Sequence, residues 1–289
     1  MFQRLAIGWQ LIQQSWQVLR LDKELLLFPL MSAIACMFVM ASFAIPLWAT
    51  GYVDSAMEEQ AAGQDGINQV NQIAGYVVLF AFYVVNYGVI IFFNSALVAC
   101  AIIRFKGGNP TIMDGFSAAF SRLPQIAGWA VVAATVGLIL KIIESRSEKF
   151  GRIVAGLLGM AWSAVTYFVV PVIVVEKAGP IVAGKRSLEI LKKTWGESLA
   201  ANFGIGVIVF LVSLVAMLPL ILGGIALAAG IWSLGILGLV IGIVALLAIS
   251  LCSSALNTII LGALYLYAAE GTVPQQFDNA LFQQAFVRK

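Results

Sequence analysis

The chain has 289 residues, 61% of them hydrophobic and 11% charged, with a net charge of +3 and a mean hydropathy of +0.98. Soluble domains carry about 25% charged residues, so this composition excludes an ordinary soluble domain, and the small net charge argues against a nucleic-acid partner. Histidine is absent, which removes the commonest general base and metal ligand, and Cys36, Cys100 and Cys252 are scattered in apolar stretches. Neither a disulfide framework nor a zinc site is expected, and no cofactor is implied.

The first 24 residues read as a helix. Phe2, Leu5, Trp9, Ile12, Trp16 and Leu19 recur at helical spacing, with Gln3, Arg4, Gln10, Gln13, Gln14, Gln17 and Arg20 on the other face. Two tryptophans on an apolar face suit the headgroup level of a bilayer, so the segment reads as an interfacial helix. The alternative is a helix packed beneath the spans and touching little lipid. No small-residue cleavage site follows a short apolar core, so a secretory signal is not expected. The charges Arg20, Asp22, Lys23 and Glu24 mark the turn into the first span.

The sequence predicts an all-α, polytopic membrane helix bundle, a single integral membrane domain over 1–289. Six spans are expected at about 25–47, 73–103, 125–143, 153–175, 199–221 and 234–269. The last third has 72 consecutive uncharged residues, 198–269, so three short spans there, seven in all, is the alternative. Thirteen of the 17 basic residues fall on the N-terminal segment, the second and fourth connections and the C-terminal tail. By the positive-inside bias this side is cytoplasmic, with both termini, in a bacterial inner membrane. One connection disagrees: "KIIESRSEKFGR", 141–152, carries four basic residues on the other side. Spans three and four could therefore form a hairpin that does not cross fully.

Similar helices recur after the second and fourth spans. "PTIMDGFSAAFSRLPQ" begins at Pro110 and "PIVAGKRSLEILKKTW" at Pro180. Ser117 and Ser187 each lie seven residues after the proline, with Arg122 and Lys192 five further on; Ser15 and Arg20 repeat the latter spacing. Returning spans share Ser95-Ala96-Leu97, Ser163-Ala164-Val165 and Ser254-Ala255-Leu256, and Gly107, Gly179 and Gly271 follow them. The expected unit is amphipathic helix, span, span, used three times, with a further amphipathic tail over 274–289. Lys185, Arg186, Lys192 and Lys193 surround an apolar face of Ile181, Leu188, Leu191 and Trp195, a candidate surface for anionic lipid or a partner together with Trp9, Trp16 and Arg20.

No acidic or basic residue sits in the middle of a span, which argues against a proton-coupled pump. No acid/base pair, Walker loop or nucleophile elbow is present, so a non-enzymatic protein is expected. Ser250, Ser254 and Asn257 share one helical face with Ser253, and Asn86 and Asn94 lie in the second span. They are a candidate polar path. They also suit interhelical hydrogen bonds of about 0.6 kcal/mol each, as Gly238 and Gly242 suit close helix packing.

"SWQVLRLDKELLLFPL", 15–30, and "VVPVIVVEKAGPIVAGKRSLEILKKTWG", 169–196, together resemble an uncharacterised family of bacterial multi-pass membrane proteins. The second stretch is also loosely similar to the membrane domain found with some glycerophosphodiester phosphodiesterases. The resemblance implies six spans in a bacterial inner membrane and no established activity. The expectation is a scaffold or membrane-organising protein that engages membrane lipids or a protein partner, a homo-oligomer included, through its basic helices. The alternative is a carrier or channel for a small or lipid-like solute.

Overall fold

Helix is the only regular structure among the described residues. Lipid offers the backbone no water to bond, so each spanning segment must satisfy its own N–H and C=O groups. The structure, a computed structural model, describes residues 2–51, 69–145, 150–193 and 195–278, with side chains for 9–51, 73–145, 151–193 and 206–278. The helices are α1 (Phe2–Leu21), α2 (Leu27–Ala49), α3 (Gln69–Phe105), α4 (Ile112–Ser121), α5 (Leu123–Ser145), α6 (Phe150–Thr166), α7 (Val169–Glu176), α8 (Pro180–Lys193), α9 (Trp195–Ala228) and α10 (Trp232–Glu270); a 3₁₀ turn, Lys23–Leu26, joins α1 to α2. The order helix, span, span thus occurs three times.

Among the described residues six segments are long and apolar enough to cross a membrane: Lys23–Ala49, Ile73–Phe105, Leu123–Ser145, Gly151–Glu176, Gly206–Ala228 and Trp232–Glu270. Spans three and four are both among them. The fifth expected span, 199–221, lies inside α9, which runs on to Ala228. The seven-span alternative is overturned. α9 and α10 run unbroken to a turn in which Gly230 has φ +80°. At 39 residues α10 is about 58 Å long, nearly twice the hydrocarbon thickness of about 30 Å.

Contacts divide the chain into two compact units. The first comprises 1–29, 97–115 and 190–289. Its core is Leu97–Ile102 of α3 and Ala255–Leu266 of α10, with Leu11, Ser15, Val18 and Leu19 of α1 buried as well. α1 lies against α9 and α10. The α9–α10 hairpin closes on glycine: a Cβ on Gly238 would stand 2.8 Å from Gly223 Cα and 2.8 Å from the Pro219 carbonyl oxygen. One on Gly242 would meet Leu220 at 2.4 Å. These two glycines therefore set the approach of the helices, as their spacing predicts.

The second unit comprises 30–96 and 116–189. Here Trp129 of α5 stacks on Trp162 of α6 at 5.6 Å and 9°. The N-terminal part of α8 packs beside them, Pro180 over Gly128 and Gly184 under the Trp129 ring. The fourth span is broken at Tyr167–Phe168, between α6 and α7. Pro171 supplies the cause, since its ring cannot donate to the carbonyl of Tyr167 and clashes with it in a continuous helix. The Phe168 N–H left without a helical partner donates to Ser187 Oγ of α8 at 2.9 Å, inside the core.

Three helices end alike. Gly107, Lys177 and Gly271 adopt left-handed φ values of +83°, +56° and +71° at or just beyond the ends of α3, α7 and α10, and each stands three residues before Pro110, Pro180 or Pro274. The second position is Lys177, not Gly179 as the sequence pattern implies, and it bears a strain that glycine escapes. Ser15 and Ser187 are fully buried, whereas Ser117 is exposed, so the serine correspondence holds for two helices of the three. α4 is capped by a reciprocal pair: Thr111 N–H donates to Asp114 Oδ2 at 2.9 Å, and Asp114 N–H to Thr111 Oγ1 at 3.2 Å. The hydroxyl and N–H of Thr111 hold the Asp114 carboxyl below the usual carboxylate range. After Pro274 the described residues, to Asp278, form turns and no helix; 279–289 lie outside the described residues.

Ser187→Ala removes the only acceptor shown for the Phe168 N–H. The unfolding free energy in detergent should fall by about 1–3 kcal/mol, the cost of an unsatisfied buried donor. An unchanged denaturation midpoint would contradict this account of the break.

Candidate functional site

The outward faces of α1 and α8 carry one group of candidate residues. α1 buries Leu11, Ser15 and Val18, and Trp9 and Trp16 project on the opposite side, 49% and 40% exposed. The apolar face read from the sequence is therefore offset from the packed face, with Leu19 common to both. The helix is both packed and interfacial in composition, because two different faces serve the two purposes. Arg20 lies over the Trp16 ring at 5.9 Å, within the range of a cation–π contact.

α8 is divided the same way. Ala183, Ser187, Ile190 and Leu191 are buried, while Ile181 and Val182 are 68% and 61% exposed. Of the apolar face read from spacing, Ile181 is exposed and Leu191 is packed. Lys185, Lys192 and Lys193 are exposed beside it. Arg186 differs: its Nε donates to Glu176 at 3.0 Å, and its guanidinium reaches Glu189 at 3.5 Å. It ties α8 back to the end of α7, so three lysines form the free basic face. The Trp195 side chain lies outside the described residues, as do Asp54, Glu58, Glu59 and Asp65 of the first connection and Arg288 and Lys289 of the tail.

The second group surrounds a groove of about 470 Å³ on α9 and α10, lined by Val209, Ser213, Leu246, Ile249, Ser250, Ser253, Ser254 and Asn257. Asn257 Nδ2 donates to Ser253 Oγ at 3.4 Å. The structure thus brings Ser250, Ser254 and Asn257 together, as their spacing predicts, and adds Ser213. That residue interrupts the apolar run of α9 over 205–222 and could have been found as the one hydroxyl within it. Asn86 and Asn94 do not line this groove; they belong to the other unit, on α3. Among the described residues no three His, Cys, Asp or Glu side chains converge as metal ligands.

Sequence reading missed a third group. The Arg104 guanidinium binds the Asp22 carboxylate through both Nε and Nη2, and Nη2 also donates to Asn109 Oδ1 at 2.6 Å. The Asp22 and Arg104 side chains are only 8% and 16% exposed. Gln276 Nε2 donates to the Arg104 carbonyl at 3.0 Å, the Phe277 ring meets Phe105 edge-on at 5.7 Å, and Asp278 N–H donates to Gln14 at 3.3 Å. The ends of α1, α3 and α10 are joined in this one cluster. Arg122 plays a smaller part at the end of α7, donating to the Val174 carbonyl at 3.4 Å.

Arg104→Gln should lower the unfolding free energy by about 3 kcal/mol, since it strands a largely buried carboxylate. Asp22→Asn in the same chain should recover part of that loss. Purely additive losses in a double-mutant denaturation cycle would show that the two groups are not coupled.

Residues 73–275, more than half of the chain, match the family of unknown function DUF6159, and the chain belongs to that family. No curated protein matches it. The family match carries no link to the phosphodiesterase-associated membrane domain.

Proposed function

We propose that this multi-pass membrane protein is a non-enzymatic organiser of a bacterial inner membrane that engages anionic lipid headgroups through its basic helices. The observation that carries the reading is the division of α8. Its packed face is complete, and the face left over combines exposed Ile181 and Val182 with Lys185, Lys192 and Lys193. An apolar patch ringed by lysine matches the boundary between acyl chains and acidic headgroups, where each cation contributes about 1 kcal/mol. α1 supplies the same chemistry with Trp9, Trp16 and Arg20. In this reading, which the positive-inside bias supports, these helices and both termini face the cytoplasm.

The test uses the full chain in nanodiscs of zwitterionic lipid, with and without anionic lipid. Anionic lipid should raise the thermal midpoint of the wild type. In Lys185→Gln/Lys192→Gln/Lys193→Gln that rise should largely vanish, with apparent affinity for anionic lipid down on the order of 100-fold. An equal rise in both proteins would overturn the proposal. If the same variant loses a co-purifying protein while its lipid response is intact, the surface serves a protein partner instead.

A carrier for a small or lipid-like solute is the second reading, supported by the open groove on α9 and α10. It predicts that Ser250→Ala/Ser254→Ala abolishes solute flux in proteoliposomes at unchanged thermal stability.

A further inference from the structure

The α10 helix changes its surroundings halfway along. From Trp232 to Leu247 its large side chains, among them Leu237, Val240 and Val244, are exposed. From Ala255 to Leu266 nearly every side chain is buried in the first unit. The groove lined by Ser250, Ser253, Ser254 and Asn257 lies at the changeover. Trp232, 69% exposed, marks one membrane boundary by its chemistry. At 1.5 Å per residue, Ser250 is about 27 Å and Asn257 about 38 Å further along. With a hydrocarbon core of about 30 Å, the groove opens where acyl chains give way to ester and headgroup atoms.

Its lining is divided too. Among the described lining residues Val209, Leu246 and Ile249 are apolar, the other five are polar, and none is charged. Serine hydroxyls both donate and accept hydrogen bonds, and asparagine does both from one amide, so the lining suits ester and hydroxyl oxygens. No lysine or arginine is present to select a phosphate. The volume falls within the range of small-ligand sites. Exposed apolar side chains on the groove side, Phe210 and Met217 of α9 and Ile243 of α10, continue from it.

We infer that this groove binds one membrane lipid with an uncharged head, of the diacylglycerol class. Its ester and hydroxyl oxygens are held by Ser213, Ser250, Ser254 and Asn257, and its acyl chains lie along α9 and α10. The site is separate from the basic helices, and its contacts need no ionic attraction.

The test is photo-crosslinking of the full chain in nanodiscs with a photoreactive diacylglycerol, with labelled peptides mapped by mass spectrometry. Label should fall within 206–257 and be displaced by unlabelled diacylglycerol. Ser254→Leu/Asn257→Leu should lower labelling about tenfold, and Ser254→Thr should retain it. If the leucine variant does not fold, Ser250→Ala/Ser254→Ala removes the hydroxyls without adding bulk, and the same loss is expected. Labelling unchanged in a folded variant would overturn the inference. So would better displacement by phosphatidic acid than by diacylglycerol, or crosslinks joining two copies of the chain through these residues.

Discussion

The first unit depends on one charged pair, Arg104 with Asp22. The chain meets itself there across 82 positions, at the end of α3 and just past the end of α1. A two-point guanidinium–carboxylate contact fixes orientation as well as distance, which a single lysine could not do. Taking both groups largely out of water is costly, so the pair serves position more than net stability. The placement matters because α1 meets α9 and α10 with one narrow face, Leu11, Ser15, Val18 and Leu19, and the pair fixes its end. The same arginine also bonds Asn109 and, through its carbonyl, Gln276, so the stretches after α3 and after α10 are referred to one point.

In the second unit a broken helix has the corresponding part. Pro46 and Pro219 sit inside continuous helices, whereas Pro171 coincides with a break. The difference lies in what receives the released backbone group. Ser187 presents its hydroxyl to the Phe168 N–H within a core that water does not reach, so the break is stable and α8 is bound to it. Gly184 and Pro180 complete the seat against Trp129 and Gly128. One face of α8 is consumed in this way. Its lysines are thereby directed outward.

The spans were legible because apolar length is a strong signal, and five of the six agree with their expected bounds within two residues at each end. The fifth, expected at 199–221, lies within α9, and only its far end, set by the turn at Gly230, was not legible in a uniformly apolar run. Helical faces were less legible. On α1 and α8 the exposed side holds large apolar residues, so hydrophobic periodicity points at lipid as readily as at protein. Small residues, Ala183, Ser15 and Ser187, mark the packed faces instead, because they admit a neighbouring helix closely. The serine face of α10 was legible from spacing. The Asp22–Arg104 pair was not, since nothing local relates two charges in separate helices.

The three left-handed turns connect these points. Each ends a returning span, and a proline follows three residues later, where its fixed φ suits the start of a new helix or turn. After α3 the result is α4, ten residues long, and after α7 it is α8, fourteen. After α10 the chain instead folds back, putting Phe277 against Phe105. The same punctuation therefore yields three outcomes, and the difference lies in what comes after the proline. The spans repeat a common plan. The segments after the turns carry the variation, and with it the exposed Ile181, Val182 and lysines of α8, so chemistry that distinguishes one returning span from another belongs to them.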